Sequence, residues 1–217
     1  MKKFVLSAAV IATSIMAQSA FAATNASNDY NFVSGGVQFS KFNNEMPTKA
    51  KKGGEFESSK KVMGGYVRGS YNFADNFFTE ARVDLSKKGD AKVTDGLVGI
   101  GYYQPINNDL SLYGLAGYSA KQFKLPNKTG GKDKLKEKGL TGEIGAKYHA
   151  TDSWTIEPAI RYSKYDHSAY EVKLGNTINV YKNVSLEANV SQDQFKPKGA
   201  DEKTKQTKFM LGARYNF

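Results

Sequence analysis

From Ala23 to the C-terminus, apolar and polar residues alternate with a period of two, and almost nothing repeats every 3.6 residues. Successive side chains of a strand point to opposite faces, so this pattern specifies half-buried strands and leaves no helical stripe to pack. Thr79, Ala81, Val83 and Leu85 alternate with Phe78, Glu80, Arg82 and Asp84. Trp154, Ile156, Pro158, Ile160 and Tyr162 alternate with Thr155, Glu157, Ala159, Arg161 and Ser163, and Phe209, Leu211, Ala213, Tyr215 and Phe217 with Lys208, Met210, Gly212, Arg214 and Asn216. Ten strands are predicted, at 29–41, 61–73, 77–87, 93–104, 110–122, 138–150, 154–166, 169–181, 184–195 and 206–217. Eight is the alternative, and it turns on Pro158: a mid-strand proline removes a ladder donor, predicting a bulge or weak pairing if the strand continues through it.

The connections carry as much information as the strands. Those after even strands are short, near 74–76, 105–109, 151–153 and 182–183, whereas 42–60, 123–137 and 196–205 are long and rich in Lys, Gly and Glu. Every even strand ends on a tyrosine, at Tyr71, Tyr103, Tyr148, Tyr181 and Tyr215, and Tyr71-Asn72-Phe73 recurs as Tyr215-Asn216-Phe217. Aromatics gathered at one end of alternate strands suit a lipid–water interface. With Phe73, Phe77, Trp154 and Phe217 they make a candidate aromatic girdle. The strands, 11 to 13 residues long, exceed the roughly 9–11 residues that cross a bilayer at a tilt. An even count with both ends on the short-turn side predicts an all-β fold: a transmembrane antiparallel up-and-down β-barrel with short periplasmic turns and longer extracellular loops.

The polar faces then line the interior. A tight turn centred on Asp152 sets Lys147 opposite Glu157, Glu143 opposite Arg161, Ile144 opposite Ile160 and Tyr148 opposite Ile156, each pair favourable across a strand pair. The candidate lumen network is Arg68, Arg82, Lys147, Arg161 and Arg214 against Glu80, Asp84, Glu143, Glu157 and Glu187, five charges of each sign.

Lys2 and Lys3, an apolar run from Phe4 to about Met16 and Ala20-Phe21-Ala22 form a secretory leader, so residues 1–22 are expected to be removed after export by the Sec route and 23–217 to be the barrel domain. The chain has 31 Lys+Arg against 21 Asp+Glu, a net charge of +10, which becomes +8 without the two leader lysines. A basic chain suggests an anionic partner, and export argues against nucleic acid. With a neutral lumen, the outer loops and strand tips hold 23 Lys against 12 acids, and the short-turn side Lys182 against Asp29, Asp75, Asp109 and Asp152. The most basic segment is a candidate outer loop carrying Lys121, Lys124, Lys128, Lys132, Lys134, Lys136 and Lys138, with Lys49, Lys51 and Lys52 in the first loop.

Gly142-Glu143-Ile144-Gly145-Ala146-Lys147-Tyr148, Ala150-Thr151-Asp152-Ser153-Trp154 and Glu157 to Tyr162 resemble the strand-turn-strand unit of the small bacterial outer-membrane β-barrel superfamily, with its OmpA-type, opacity-type and Ail/Lom-like members. Tyr71 to Leu85 and Leu112 to Tyr118 have the same look. The resemblance implies a Gram-negative outer-membrane location, contact with membrane lipid and lipopolysaccharide, and recognition of the terminal Phe217 by the barrel assembly machinery; a monomer is expected.

No residue is assigned a catalytic, cofactor-binding or metal role, and no enzyme activity or cofactor is expected. The absence of cysteine excludes a thiolate site or thiol nucleophile. His149 reads as a hydrogen-bonded residue near a short turn, and Asp166 and His167, adjacent on a strand, point to opposite faces. Gly35-Gly36 and Gly64-Gly65 lack the strand-loop-helix context of a phosphate loop and more simply relieve crowding in curved strands or leave room for aromatic neighbours. Asn127-Lys128-Thr129 spells a glycosylation sequon, consistent with a surface loop.

Two functions follow. A surface-exposed barrel would bind lipopolysaccharide, an extracellular polyanion or a host surface through basic loops, as an adhesin-like, antigenic or envelope-structural protein with a plugged or very narrow lumen. The alternative is a small porin or narrow diffusion channel. Eight strands give an interior just filled by side chains and open porins use about 16–18, so ten favour the first reading.

Overall fold

The computed structural model describes residues 29–51, 55–127, 131–196 and 203–217. The expected leader, Lys52, Lys128 and Thr129 of the sequon, and most of the last long connection lie outside these residues. Ten antiparallel strands run in chain order: β1 (Phe32–Ala50), β2 (Phe56–Ala74), β3 (Phe77–Lys88), β4 (Ala91–Pro105), β5 (Leu110–Pro126), β6 (Lys132–Thr151), β7 (Trp154–Lys164), β8 (Ser168–Tyr181), β9 (Val184–Phe195) and β10 (Thr204–Asn216). Each pairs with the next, and β10 returns to β1 from Phe32↔Asn216 to Phe42↔Gln206, closing the barrel. Strands about 4.8 Å apart and tilted about 40° enclose a wall-to-wall diameter of about 20 Å. That is narrow enough for two long side chains to meet in the middle.

At the short-turn end, three two-residue turns follow Ala74, Thr151 and Tyr181, each beside a one-residue register shift. Asp75 and Lys182 take left-handed conformations, with φ of 39° and 42°, that let the chain reverse in two residues. The turns are also tied to one another. The amides of Tyr103, His149, Asn179 and Asn216 donate to the carbonyls of Asn76, Asp109, Ser153 and Asn183 in the neighbouring connection.

The β6–β7 register is the one derived from the turn at Asp152: Glu143 faces Arg161, Ile144 faces Ile160 and Tyr148 faces Ile156. The ladder lapses at Ala146–Lys147, opposite Glu157–Pro158, and resumes in the same register. Pro158 thus interrupts pairing toward β6, where its missing N–H would have donated, while still pairing with Leu174 of β8. β7 continues through it, and the count is ten.

The expected loops 42–60 and 123–137 are mostly strand: β1 and β2 extend to Ala50 and from Phe56, and β5 and β6 to Pro126 and from Lys132. The reason is an inversion of polarity along the strands at constant parity. In the lower wall Val98, Leu140, Ile144, Phe209 and Leu211 face outward, and Arg68, Glu80, Glu143 and Arg214 inward. Further up, Lys41, Lys61, Lys92 and Lys138 face outward, while Phe42, Val62, Val93, Phe123 and Phe195 turn inward as a buried apolar cluster. The alternation persists, but its apolar side moves from the lipid face to the inner face where the outer wall enters water.

Inside, aromatic rings lie over glycines on neighbouring strands. A Cβ at Gly101 would come within 2.2 Å of the Phe78 ring, and one at Gly145 within 2.6 Å of Tyr113. Tyr66 crosses Gly36 and Gly212 to reach Glu187 of β9, donating at 2.9 Å.

Candidate functional site

The interior is occupied by three stacked layers. At the short-turn end, Tyr30, just ahead of β1, enters the bore and stacks on Tyr103 (centroids 4.2 Å apart) and against Phe78 (4.5 Å), with Tyr113 edge-on at 6.1 Å. Burial holds the Tyr30 phenol neutral, far above its ordinary titration range. Lys147 donates to the Asp29 carbonyl and lies 4.0 Å from the Tyr30 ring centroid, and His149 Nε2 sits 2.9 Å from the Asp29 carboxylate. Asp29 and Tyr30 are therefore pinned inside the mouth.

The middle layer is ionic. Arg68 on β2 grips Glu80 on β3 with two hydrogen bonds of 2.8 Å and reaches Glu157 on β7 at 3.0 and 3.2 Å. Arg82 on β3 holds Asp84 at 2.7 and 3.0 Å and reaches Glu171 on β8 at 3.3 Å. In the strand order β2 and β7, and likewise β3 and β8, lie five strands apart, directly across the barrel. Lys173 donates to Glu157 at 2.7 Å, Arg161 to Glu143 at 2.8 Å and to Glu171 at 3.4 Å. Tyr113 Oη stands 2.8 Å from Glu143 and 2.9 Å from Glu157, and Arg214 donates to Glu187 at 2.6 Å. Above them Lys208 lies 3.0 Å from Asp193 and 3.4 Å from both Asp84 and Asp95, and Lys121 lies 2.9 Å from Asp193 and 3.1 Å from Asp95. One continuous chain of ion pairs thus runs from Glu80 to Asp95 and draws on every strand except β1.

The third layer is the apolar cluster of Phe42, Met46, Val62, Val93, Phe123 and Phe195, with the last two rings stacked at 5.4 Å. Beneath it, a space of about 20 Å³ among Asp95, Lys121, Arg161, Glu171 and Asp193 has room for about one water. A larger polar vestibule of about 430 Å³ opens at the short-turn mouth, lined among others by Asp29, His149, Lys182, Arg214 and Phe217.

All ten residues of the expected lumen network are buried, but the pairing differs at one point. Lys147, placed opposite Glu157 by the register, turns down to Asp29, because the lapse beside Pro158 and the adjacent Tyr30 ring offer it a nearer partner; Glu157 takes Arg68 and Lys173 instead. Lys121, expected in the outer loop, is 5% exposed inside the bore. Lys173, Lys208, Asp95, Glu171 and Asp193 were missed. Parity could have found them: Glu171 and Lys173 alternate with outward Tyr170, Val172 and Leu174, and Lys208 with outward Phe209. Among the described residues the expected five against five becomes eight cations, Lys121, Lys147, Lys173 and Lys208 with four arginines, against nine acids, Glu137 and the less buried Asp95 included.

Of the expected girdle, Phe73, Phe77, Tyr148, Trp154, Tyr181 and Tyr215 are exposed on the outer wall near the short turns, while Tyr71 and Phe217 are half-buried. Tyr103 is a correction: it is 2% exposed, inside the bore, and Tyr102 takes the outward place at 43%. On β4 the inward glycines Gly99 and Gly101 clear space that Leu115 and the Phe78 ring fill, and Tyr103 stacks inside on Tyr30 beside Phe78. Tyr118, Tyr162 and Tyr170 form an unanticipated second group of exposed aromatics toward the other end. Trp154 and Tyr162 are eight residues apart on β7, which at a tilt of about 40° separates the two groups by about 20 Å, close to the height of a barrel's apolar band.

Of the basic segment, Lys132, Lys134, Lys136 and Lys138 lie on β6 and are exposed, Lys124 on β5 is half-buried, and Lys132 pairs with Asp90 at 3.1 Å. Asp166 and His167 occupy the turn between β7 and β8 and, like Ser168, are exposed. Among the described residues, no group of three His, Asp or Glu side chains is arranged to hold a metal ion.

A closed barrel with an apolar outer wall, two aromatic levels and a charged interior is the architecture of an integral outer-membrane protein. The family model for the outer membrane protein beta-barrel domain matches residues 8–217, and the chain belongs to that family. Among solved structures it is similar to the outer membrane protease OmpT from Escherichia coli, with 10% identity, 93% of this chain and 100% of that one covered, and a TM-score of 0.54. It is also similar to Ail, the attachment invasion locus protein of Yersinia pestis (18% identity, 86% and 97% covered, TM-score 0.44), and to Neisserial surface protein A (13%, 86% and 96%, TM-score 0.45). Compared with curated proteins, the chain has no match.

Proposed function

We infer that this protein is a non-conducting outer-membrane barrel that works through its long-hairpin end, which faces the exterior and engages polyanionic surfaces or ligands. The observation that carries the reading is the pair of ties across the bore, Arg68 to Glu157 and Arg82 to Glu171, enclosed between an aromatic and an apolar layer. A solute crossing this bore would have to part buried charges from their partners, which costs several kcal/mol per ion. With the wall closed, interaction falls to the rims. Once the bore charges are set aside, the long-hairpin end keeps 20 Lys against 8 acids by sequence. Such an excess attracts phosphate, sulfate and carboxylate polymers.

Cells displaying the protein should bind labelled dextran sulfate in a salt-sensitive way, and the K132Q/K134Q/K136Q variant should bind less. Equal binding by cells lacking the protein would sink the surface-interaction reading. The vestibule at the short-turn mouth favours the narrow-channel alternative, which predicts stable ion conduction through the reconstituted barrel.

A further inference from the structure

Two pairs of acids face each other across the inner wall: Asp84 of β3 stands opposite Asp95 of β4, and Glu171 of β8 opposite Asp193 of β9. Like charges so placed repel unless a counter-charge lies between them. Lys208 supplies one for the first pair, 3.4 Å from both carboxyls. Among the described residues no cation bridges the second pair: Arg82 and Arg161 reach Glu171, whereas Lys121 and Lys208 reach Asp193. Both acids are buried, and the Glu171 carboxyl lies within hydrogen-bonding reach of that of Asp193. Two carboxyls hydrogen-bond only when one of them carries a proton.

The two oxygens of Asp193 divide accordingly. Oδ2 accepts from Lys121 at 2.9 Å and lies 3.0 Å from Lys208, while Oδ1, equally buried, has no N–H or O–H donor within hydrogen-bond distance. A buried carboxylate oxygen without a donor is costly, whereas a protonated one is itself a donor. The charge count agrees: nine acids against eight cations among the described bore residues leave one negative charge over, and one proton cancels it. The other charged groups around the pair are Asp84 of β3, which shares Arg82 with Glu171, Asp95 of β4, which shares Lys121 and Lys208 with Asp193, and Glu137 of β6, opposite Lys121. A path for the proton is also present. The space of about 20 Å³ beside the pair touches Ser163 and Tyr165, and the hydroxyls of Ser163, Ser119 and Tyr165 follow one another at 3.3 and 2.9 Å to the turn between β7 and β8.

We propose that Glu171 and Asp193 form a single proton-binding site in the bore, with Asp193 Oδ1 donating a retained proton to Glu171 at neutral pH. Release of that proton leaves two facing carboxylates with no cation bridging them, so alkali loosens β8 from β9 beneath the apolar layer. The site is independent of what the outer end of the barrel binds.

Infrared difference spectroscopy on the full barrel refolded into lipid vesicles tests this directly, because a protonated carboxyl absorbs apart from carboxylates and amides. The expected result is a carboxylic acid band at neutral pH that disappears as the pH is raised, is missing from D193N and from E171Q, and persists in E137Q. Urea unfolding gives a second readout. The native state binds one proton more than the unfolded chain, so above about pH 5 its folding equilibrium constant should fall with rising pH, by up to about tenfold per pH unit more steeply than that of D193N. The D193N amide can donate to Glu171 as the protonated acid does, so this variant should fold at neutral pH. Heat-modifiable gel migration checks folding, and E171Q reads the same pair should D193N not fold. A spectrum without a carboxylic acid band at neutral pH would overturn the site, leaving both groups ionised and bridged by water. A band unchanged in D193N, a band lost in E137Q instead, or an equal pH slope in D193N and the unmodified barrel would each overturn it as well.

Discussion

Arg68 shows how much one residue carries in this barrel. Its guanidinium holds Glu80 beside it and Glu157 across the bore, and all three are buried. Truncation leaves two carboxylates with fewer partners in a water-poor interior, and breaking a buried pair this way costs about 3–5 kcal/mol. Arg68→Ala should therefore lower the unfolding free energy of the vesicle-refolded barrel in urea by that order, and Arg68→Lys, which keeps the charge but loses the two-pronged grip, by less; an Arg68→Ala unfolding free energy within error of the unmodified protein would show that the cross-bore tie contributes little. Gly101 carries a different kind of constraint. An added methyl group would meet the Phe78 ring at 2.2 Å, so Gly101→Ala should cost about 1–3 kcal/mol through overpacking, with part of the loss recovered in the G101A/F78L double variant. If the double variant is no more stable than the single one, the ring is not what fills the space over Gly101.

At the scale of strands, period two made the tilt-spanning segments legible, because each has one consistent face. The same rule placed Glu143 opposite Arg161 from a single turn residue. It failed at the ends of the strands for a physical reason. Where the wall leaves the membrane, the outer face becomes lysine and the inner face apolar, so Lys132 to Lys138 read as a solvated loop although they continue β6. Lys121 was lost to the same cause: one step below Phe123 on the inward face, it belongs to the bore, but its lysine-rich neighbours drew it outward. Tyr103 failed otherwise, since a tyrosine at a strand end fits a girdle or a plug, and only the face decides. Pro158 gives a prediction at this scale. The lapse in the β6–β7 ladder should make the amide of Ala146, which faces β7, exchange with solvent deuterium faster than that of Ile144 on the same side of β6, and Pro158→Val should slow it. Uniform protection along β6 would mean the ladder is intact there.

For the whole molecule, the charge of the chain is distributed by environment. The bore holds nearly balanced ions that pair with one another, and the excess of lysine is displaced to the long-hairpin end. Adjacent-strand partners such as Glu143 and Arg161 were legible, but the ties across the bore were not, because partners five strands apart depend on the strand number and stagger of the closed barrel. An outer-membrane barrel can transport through its middle or interact at its rim, and the function proposed above is the second. The central claim is that the bore is closed by ties across its diameter. Single-channel recording in planar bilayers tests it most directly: the unmodified barrel should give no stable openings, and the R68A/R82A double variant, if folded by its gel migration, should admit ion flow. Stable, reproducible conductance from the unmodified protein would contradict the account.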